Sequence, residues 1–254
     1  MRNIKLTLEY DGTDFYGWQV QPEGRTVQGV LEKSLGDLLQ ESVRIIGAGR
    51  TDAGVHAKGQ VANFATESEL LLNEIYRGLN ALLPSDVVVR CAEEVSVKFH
   101  ARYDATSRRY LYRISSQPTA LRRNFVWTIL SALDLGLMRK AAQALMGTHD
   151  FASFCLGSEE RPNYRCTVQQ ISLKSIEDEA HFQIAADRFL RAMVRIIVGQ
   201  LVEVGRGRLT LGEFLEFLQK GGNQPSAMAA PPQGLCLMEV QYLHSARLAK
   251  GESR

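Results

Sequence analysis

Cysteine is scarce and scattered in this chain. The 254 residues include four, Cys91, Cys155, Cys166 and Cys236, and no two stand in a C-x-x-C spacing. That argues against a zinc site or a disulfide framework and leaves buried or inert thiols of a reducing compartment as the expectation. Long apolar runs are missing too. Without a stretch of about 20 apolar residues no membrane-spanning helix is expected. The nearest approach, 189–204, carries Arg191 and Arg195 and reads as a core helix. The first residues, Met1-Arg2-Asn3-Ile4-Lys5, enter an alternating pattern directly, with no apolar segment of a secretory signal, so a cytoplasmic location is expected. Net charge is nearly absent at +2, so bulk electrostatics alone does not announce a nucleic-acid partner.

What is present is a soluble globular composition, 45% hydrophobic and 23% charged, with arginines gathered locally: Arg108 and Arg109, Arg122 and Arg123, and Arg188, Arg191 and Arg195. Ile4, Leu6, Leu8 and Tyr10 alternate with polar residues and predict a half-buried strand. Thr26 reads as an N-cap for an amphipathic helix over 27–40. Strands are predicted at 43–48 and 56–65, a helix over 69–83 ended by Pro84, and a strand from Val87 to about Val97. The second half reads similarly: a strand at 107–116, a helix at 135–146, strands at 167–175 and 180–186 around the acidic turn Glu177-Asp178-Glu179, helices at 189–204 and 211–220, a loop through 221–232, and a last strand at 235–242. The tail from Ser245 reads as loose.

The order β-α-β-β-α-β therefore occurs twice, without visible sequence repetition. The expected fold is α+β: two ferredoxin-like halves joined into one extended, mainly antiparallel sheet, helices on one face and an RNA-sized cleft on the other. The halves are residues 1–103 and 104–254.

One stretch concentrates chemistry. In Gly47-Ala48-Gly49-Arg50-Thr51-Asp52-Ala53-Gly54-Val55-His56-Ala57, three glycines surround an Arg-x-Asp between two predicted strands. It reads either as a surface hairpin turn or as a site. If the strand continues into the loop, Arg50 and Asp52 project to one side, and the arginine keeps the acid ionised as a nucleophile or general base. No second carboxylate and no metal-ligand cluster stands nearby, so neither a glycosidase pair nor a metal site is indicated.

Other residues carry two readings each. Tyr110, after Arg108-Arg109, is either a core aromatic or a platform for an extruded base, with Arg109 on phosphate. Phe99-His100-Ala101-Arg102 lies at the junction of the halves, structural or on a groove wall. His149-Asp150 is either a helix-end hydrogen bond or the metal pair of a phosphohydrolase. Arg188, Arg191 and Arg195 share one helical face at spacings of three and four. Arg195, inside an apolar run, requires a carboxylate partner, and Asp52 is the candidate.

Together these segments resemble the TruA-type tRNA pseudouridine synthases across nearly the whole chain. The resemblance rests on Tyr10-Asp11-Gly12-Thr13 with Phe15 and Gly17-Trp18-Gln19, Thr26-Val27-Gln28, the loop 47–57, Gly59-Gln60-Val61, Leu79-Asn80, Leu83-Pro84, Phe99-His100-Ala101-Arg102, His149-Asp150-Phe151 and Met193-Val194-Arg195, all in the family's order. Residues 157–165 match loosely. The resemblance implies that Asp52 is catalytic, that Arg50 and Arg195 are its partners, and that Tyr110 packs on the target base. It also implies a homodimer binding tRNA, with uridines 38, 39 and 40 of the anticodon stem-loop as targets and no cofactor or metal. The rival from another class is a non-catalytic RNA-binding module.

Overall fold

Ten strands and five α-helices occur among the described residues, 1–156, 163–220 and 228–243 of a computed structural model. The chain divides into two units, one of Met1–Thr106 with the chain from Met238 onward, the other of Ser107–Leu237. The loop 221–225, the tail from Ser245 and most of the 157–165 segment lie outside the described residues.

In the first unit β1 (Arg2–Tyr10) runs antiparallel between β4 (Val87–Val95) and β3 (His56–Thr66), and β2 (Ile46–Gly47) pairs with β3. The order β4–β1–β3–β2 is that of a split βαβ unit. Ile4, Leu6, Leu8 and Tyr10 are buried, as their alternation predicts. Helix α1 (Val27–Leu39) starts at Thr26, whose hydroxyl accepts from the Gly29 amide. Helix α2 (Leu72–Leu82) starts later than its hydropathy suggests, because the Glu74 carboxylate takes the Leu71 amide at 2.7 Å and closes the first turn. It stops before Pro84.

The strand expected over 43–48 shortens to Ile46–Gly47, although Val43, Ile45 and Ala48 are all buried. The reason is local. Glu32 of α1 accepts the Ile45 amide at 3.0 Å and Gln28 donates to the Ile45 carbonyl at 3.4 Å. Side chains thus satisfy the backbone where a neighbouring strand would have.

In the second unit β5 (Ala105–Ser115), β9 (Glu179–Ala186), β8 (Arg165–Ile176) and β7 (Gly147–Asp150) follow one another antiparallel, and β6 (Trp127–Thr128) lies parallel to β5. The last strand, β10 (Leu235–Tyr242), begins in this unit and ends in the first. Neither β6 nor β7 is evident from hydropathy: β6 is two residues long, and β7 follows directly on the helix. That helix, α3 (Leu135–Gln143), ends earlier than 146, and Gly147 at φ 92° turns the chain into β7.

The largest departure is α4, which spans Met193–Gly205 rather than 189–204. Ala192 adopts φ 57° and ends the preceding bend, and the Arg191 carbonyl accepts from Leu156 instead of a helical amide. Arg188 and Arg191 consequently lie off the helix, and the shared arginine face reduces to Arg195 alone. Helix α5 (Leu211–Lys220) begins with Thr210 and Glu213 bonded to each other's backbone amides. No helix among the described residues is long and apolar enough to cross a membrane.

The expectation of buried thiols holds for Cys155 and Cys166, and burial pushes the Cys166 thiol up to about 12. Cys91 is exposed and Cys236 half-buried.

Candidate active site

The 48–55 loop turns between β2 and β3, and its backbone is tied down on several sides. The Val55 amide closes a turn onto the Asp52 carbonyl at 3.2 Å, with Gly54 at φ 75°, a conformation open to glycine without steric penalty. The chain from Tyr10 to Trp18 supplies the cradle. Trp18 donates its amide to the Thr51 carbonyl at 3.0 Å, and Gly54 donates to the Phe15 carbonyl at 3.2 Å. Gly17, at φ 89°, lets this approach happen: a Cβ there would stand 2.6 Å from the Thr51 oxygen.

Side chains complete the brace. The Tyr10 hydroxyl bonds to Thr51 Oγ1 at 2.8 Å, and Gln60 donates to the Gly49 carbonyl at 2.9 Å. Thr51, Tyr10 and Gln60 are 7%, 2% and 0% exposed. Just outside, His56 Nδ1 lies 3.0 Å from the Gly12 amide and 3.1 Å from Asp11 Oδ1. The result is a rigid backbone that presents Asp52, itself only half-buried.

Arg50 forms no salt bridge with Asp52, the pairing that the strand argument expects. It is exposed and forms no salt bridge with a described residue. The strand that would align residues i and i+2 ends at Gly47, so Arg50 and Asp52 do not lie on one continuous strand.

Of the four residues at 99–102, two are anchors. Phe99 is 6% exposed and packs on Tyr242 with ring centres 5.1 Å apart. Ala101 is fully buried; its amide donates to Asn63 Oδ1 at 2.9 Å and its carbonyl accepts the Tyr242 hydroxyl at 2.7 Å. Both side chains are buried, Phe99 against Tyr242 and Ala101 within its turn. His100 is half-buried and Arg102 exposed. Asn63, buried on β3, also bonds to Asn3 at 2.9 Å. A polar residue inside the apolar run Val61 to Phe64 was the available signal for this anchor.

In the second unit Tyr110 is 8% exposed, its ring edge-on to Phe189 at 5.1 Å. Arg109 points to the opposite, more exposed face of β5, beside Gln170, Ser172 and Gln183. Arg195 on α4 is oriented by a strap: its Nε donates to the Ala230 carbonyl at 2.8 Å, and the Ala230 amide returns to the Arg195 carbonyl at 2.9 Å. Tyr112 holds the same strap through the Pro231 carbonyl at 2.7 Å. Burial pushes the Tyr112 phenol well up, opposed by the neighbouring Arg195 charge.

The His149 ring bonds to the Met146 carbonyl at 2.8 Å, not to Asp150, whose Oδ1 accepts the Ala152 amide at 2.9 Å. Each is engaged in its own turn. Among the described residues no group of three or more His, Cys, Asp or Glu is arranged to hold a metal ion.

Comparison with known proteins gives this geometry a family. Residues 7–104 and 141–243 match the model of a family described as tRNA pseudouridine synthase. The chain is 46% identical to tRNA pseudouridine synthase A of Citrifermentans bemidjiense over 95% of this chain and 98% of that one. It is 43% identical to the protein of the same name from Acetivibrio thermocellus, over 95% of this chain and all of that one. A solved structure of a Cbf5-Nop10-Gar1 complex aligns at 11% identity with a TM-score of 0.34, covering 78% of this chain and 54% of that one, too distant to weigh. On the family match and these near full-length relatives, the chain belongs to the tRNA pseudouridine synthase family and is an isomerase that makes pseudouridine in tRNA.

Proposed function

We propose that this enzyme converts uridine to pseudouridine at positions 38, 39 and 40 of the tRNA anticodon stem-loop, with Asp52 as the catalytic carboxylate. The observation that carries the reading is the brace around Asp52: four backbone or side-chain ties fix Gly49, Thr51 and Asp52 while the residue as a whole stays half-exposed. A group that must meet a substrate gains from such preorganisation.

The reaction breaks N1–C1′, turns the base and joins C5 to C1′. The C5 proton leaves to solvent and N1 regains one, so the net change is an isomerisation without redox demand. The uridine must leave its stack to reach a protein carboxylate, at a cost of a few kcal/mol that is least in a loop or at a stem end. The Asp52 anion then either adds to the sugar or base or removes the 2′ proton.

Arg50, exposed and without a salt bridge to a described residue, is available to the RNA as it enters. Tyr110 is the ring for the extruded base, and Phe189 holds it edge-on. Arg195 is a cation for the reacting centre, aimed by its bond to Ala230. Arg102 and Arg109 are phosphate contacts, with His100 beside Arg102. The acting species is a homodimer, the tRNA its macromolecular substrate.

Release of tritium from tRNA labelled at uridine C5 tests the assignment. Asp52→Asn should abolish release while tRNA affinity stays within a few-fold of wild type; near-normal release would remove Asp52 from the chemistry.

A further inference from the structure

Tyr103 is 75% exposed, yet the turn that carries it is fixed on every side. The His100 amide donates to Asp104 Oδ2 at 2.9 Å, and the Asp104 amide donates to the His100 carbonyl at 3.1 Å. His100 Nδ1 accepts the amides of Arg102 and Tyr103 at 3.2 and 3.3 Å. Ala101, in the middle, is locked to Asn63 and Tyr242. The His100 ring lies 4.3 Å from the Tyr103 ring with planes 32° apart, and the Arg102 guanidinium carbon is 5.7 Å from the Tyr103 ring centre. An exposed aromatic whose position is already fixed, with a cation at its side, has the chemistry on which unpaired bases stack. Lys98, also exposed, adds positive charge for a backbone.

Its location separates it from the catalytic loop. Asn3, at the start of β1, bonds to the Phe99 carbonyl at 2.9 Å. Tyr10, at the end of β1, bonds to Thr51 at 2.8 Å. Seven strand steps of ~3.4 Å place the two ends about 24 Å apart. At about 3.4 Å per stacked nucleotide that is on the order of seven steps, so the nucleotide at Asp52 cannot also lie on Tyr103.

We propose that Tyr103, backed by His100 and flanked by Arg102, is a second nucleobase platform that stacks an unpaired base of the tRNA remote from the uridine being converted. The inference rests on tRNA being the substrate but not on the role of Asp52. The occupant is RNA rather than a second copy of this chain, because the ring lies beside the Arg102 guanidinium and the His100 imidazole, a cation and an aromatic that suit a base and its phosphate.

The test is binding of full-length tRNA and of a minimal anticodon stem-loop to the wild-type chain, Tyr103→Ala and Tyr103→Phe. Tyr103→Ala should weaken full-length tRNA on the order of tenfold, Tyr103→Phe should bind as wild type, and all three should bind the stem-loop alike. Tritium release from the stem-loop by Tyr103→Ala should equal wild type, which keeps this result separate from any failure of the Asp52 assignment. Equal losses on both RNAs, no loss on either, or a changed oligomeric mass with unchanged RNA affinity would each overturn the platform.

Discussion

Two acidic residues sit beside tight turns in antiparallel hairpins, and the chain treats them in opposite ways. Asp52, between β2 and β3, has its backbone and its neighbour Thr51 fixed while the residue as a whole remains half-exposed. Glu179, at the start of β9, has a side chain only 2% exposed, and that carboxylate is saturated. Arg113 reaches it through two nitrogens at 2.8 and 3.1 Å, Arg122 at 2.6 Å and His181 at 2.7 Å. Burial alone would raise its pKa; the bonds from Arg113 and His181 and the charge of Arg122 outweigh it and hold Glu179 below the usual carboxylate range. The difference separates two uses of an acid. Where the acid organises structure, the side chain is consumed by partners. At Asp52 the loop backbone is tied down and the residue stays half-exposed, the arrangement expected of an acid proposed to meet a substrate.

The comparison breaks if the two residues can exchange consequences. Asp52→Asn should lower turnover on the order of 10³-fold or more and leave unfolding free energy within about 0.5 kcal/mol of wild type. Denaturant titration beside the tritium assay reads both. A fold lost together with activity would make Asp52 a structural residue like Glu179.

Glu179→Gln should do the reverse. It removes the charge from hydrogen bonds to two arginines, of which Arg122 keeps Asp178 at 3.3 Å, and because Arg113 and Arg122 keep 28% and 39% of their side chains exposed, water recovers part of the loss. The expected destabilisation is about 2 kcal/mol, with activity per folded molecule retained. Its pH dependence has a definite sign. The folded pKa lies below the ordinary 4.5, so the stabilisation is complete above 4.5 and is lost as pH falls through the depressed folded value. Wild type and Glu179→Gln should therefore differ near neutrality and converge in acid. A gap that persists unchanged at low pH would assign the effect to packing instead of charge.

Much of this contrast was open to reading from sequence, but not evenly. The loop 47–57 is legible because glycines, an acid and a base crowd between two hydrophobic runs. Unit one's elements follow from the Ile4-Leu6-Leu8-Tyr10 alternation and the Thr26 cap. Glu179, by contrast, looks like one acid of a surface turn, because Glu177 and Asp178 precede it and its partners Arg113 and Arg122 come from 57 or more residues away. The start of α4 is hidden for a related reason. Nothing in Phe189-Leu190-Arg191-Ala192 breaks a helix; what stops it there is the left-handed Ala192 and an Arg191 carbonyl taken by Leu156. The return of β10 to the first unit is likewise a long-range event that local patterning does not encode.

The finest test of the comparison is the brace itself. If Asp52 works because its backbone is held, then loosening the hold without touching the carboxylate should slow catalysis and spare binding. Tyr10→Phe deletes one buried hydroxyl and leaves Thr51 Oγ1 without that partner, at about 1 kcal/mol in stability. The ring stays, so packing against Trp18, 6.3 Å away between centres, is kept. A small displacement of the loop should lower kcat on the order of tenfold with KM nearly unchanged, since position rather than contact is lost. Thr51→Val should reproduce the defect and Thr51→Ser should rescue it. Because both single changes cut the same bond, the double variant Tyr10→Phe with Thr51→Val should add little to either alone. Additive losses would mean that Tyr10 and Thr51 act separately, and a kcat equal to wild type in Tyr10→Phe would show that Trp18, Phe15 and Gln60 hold the loop without them.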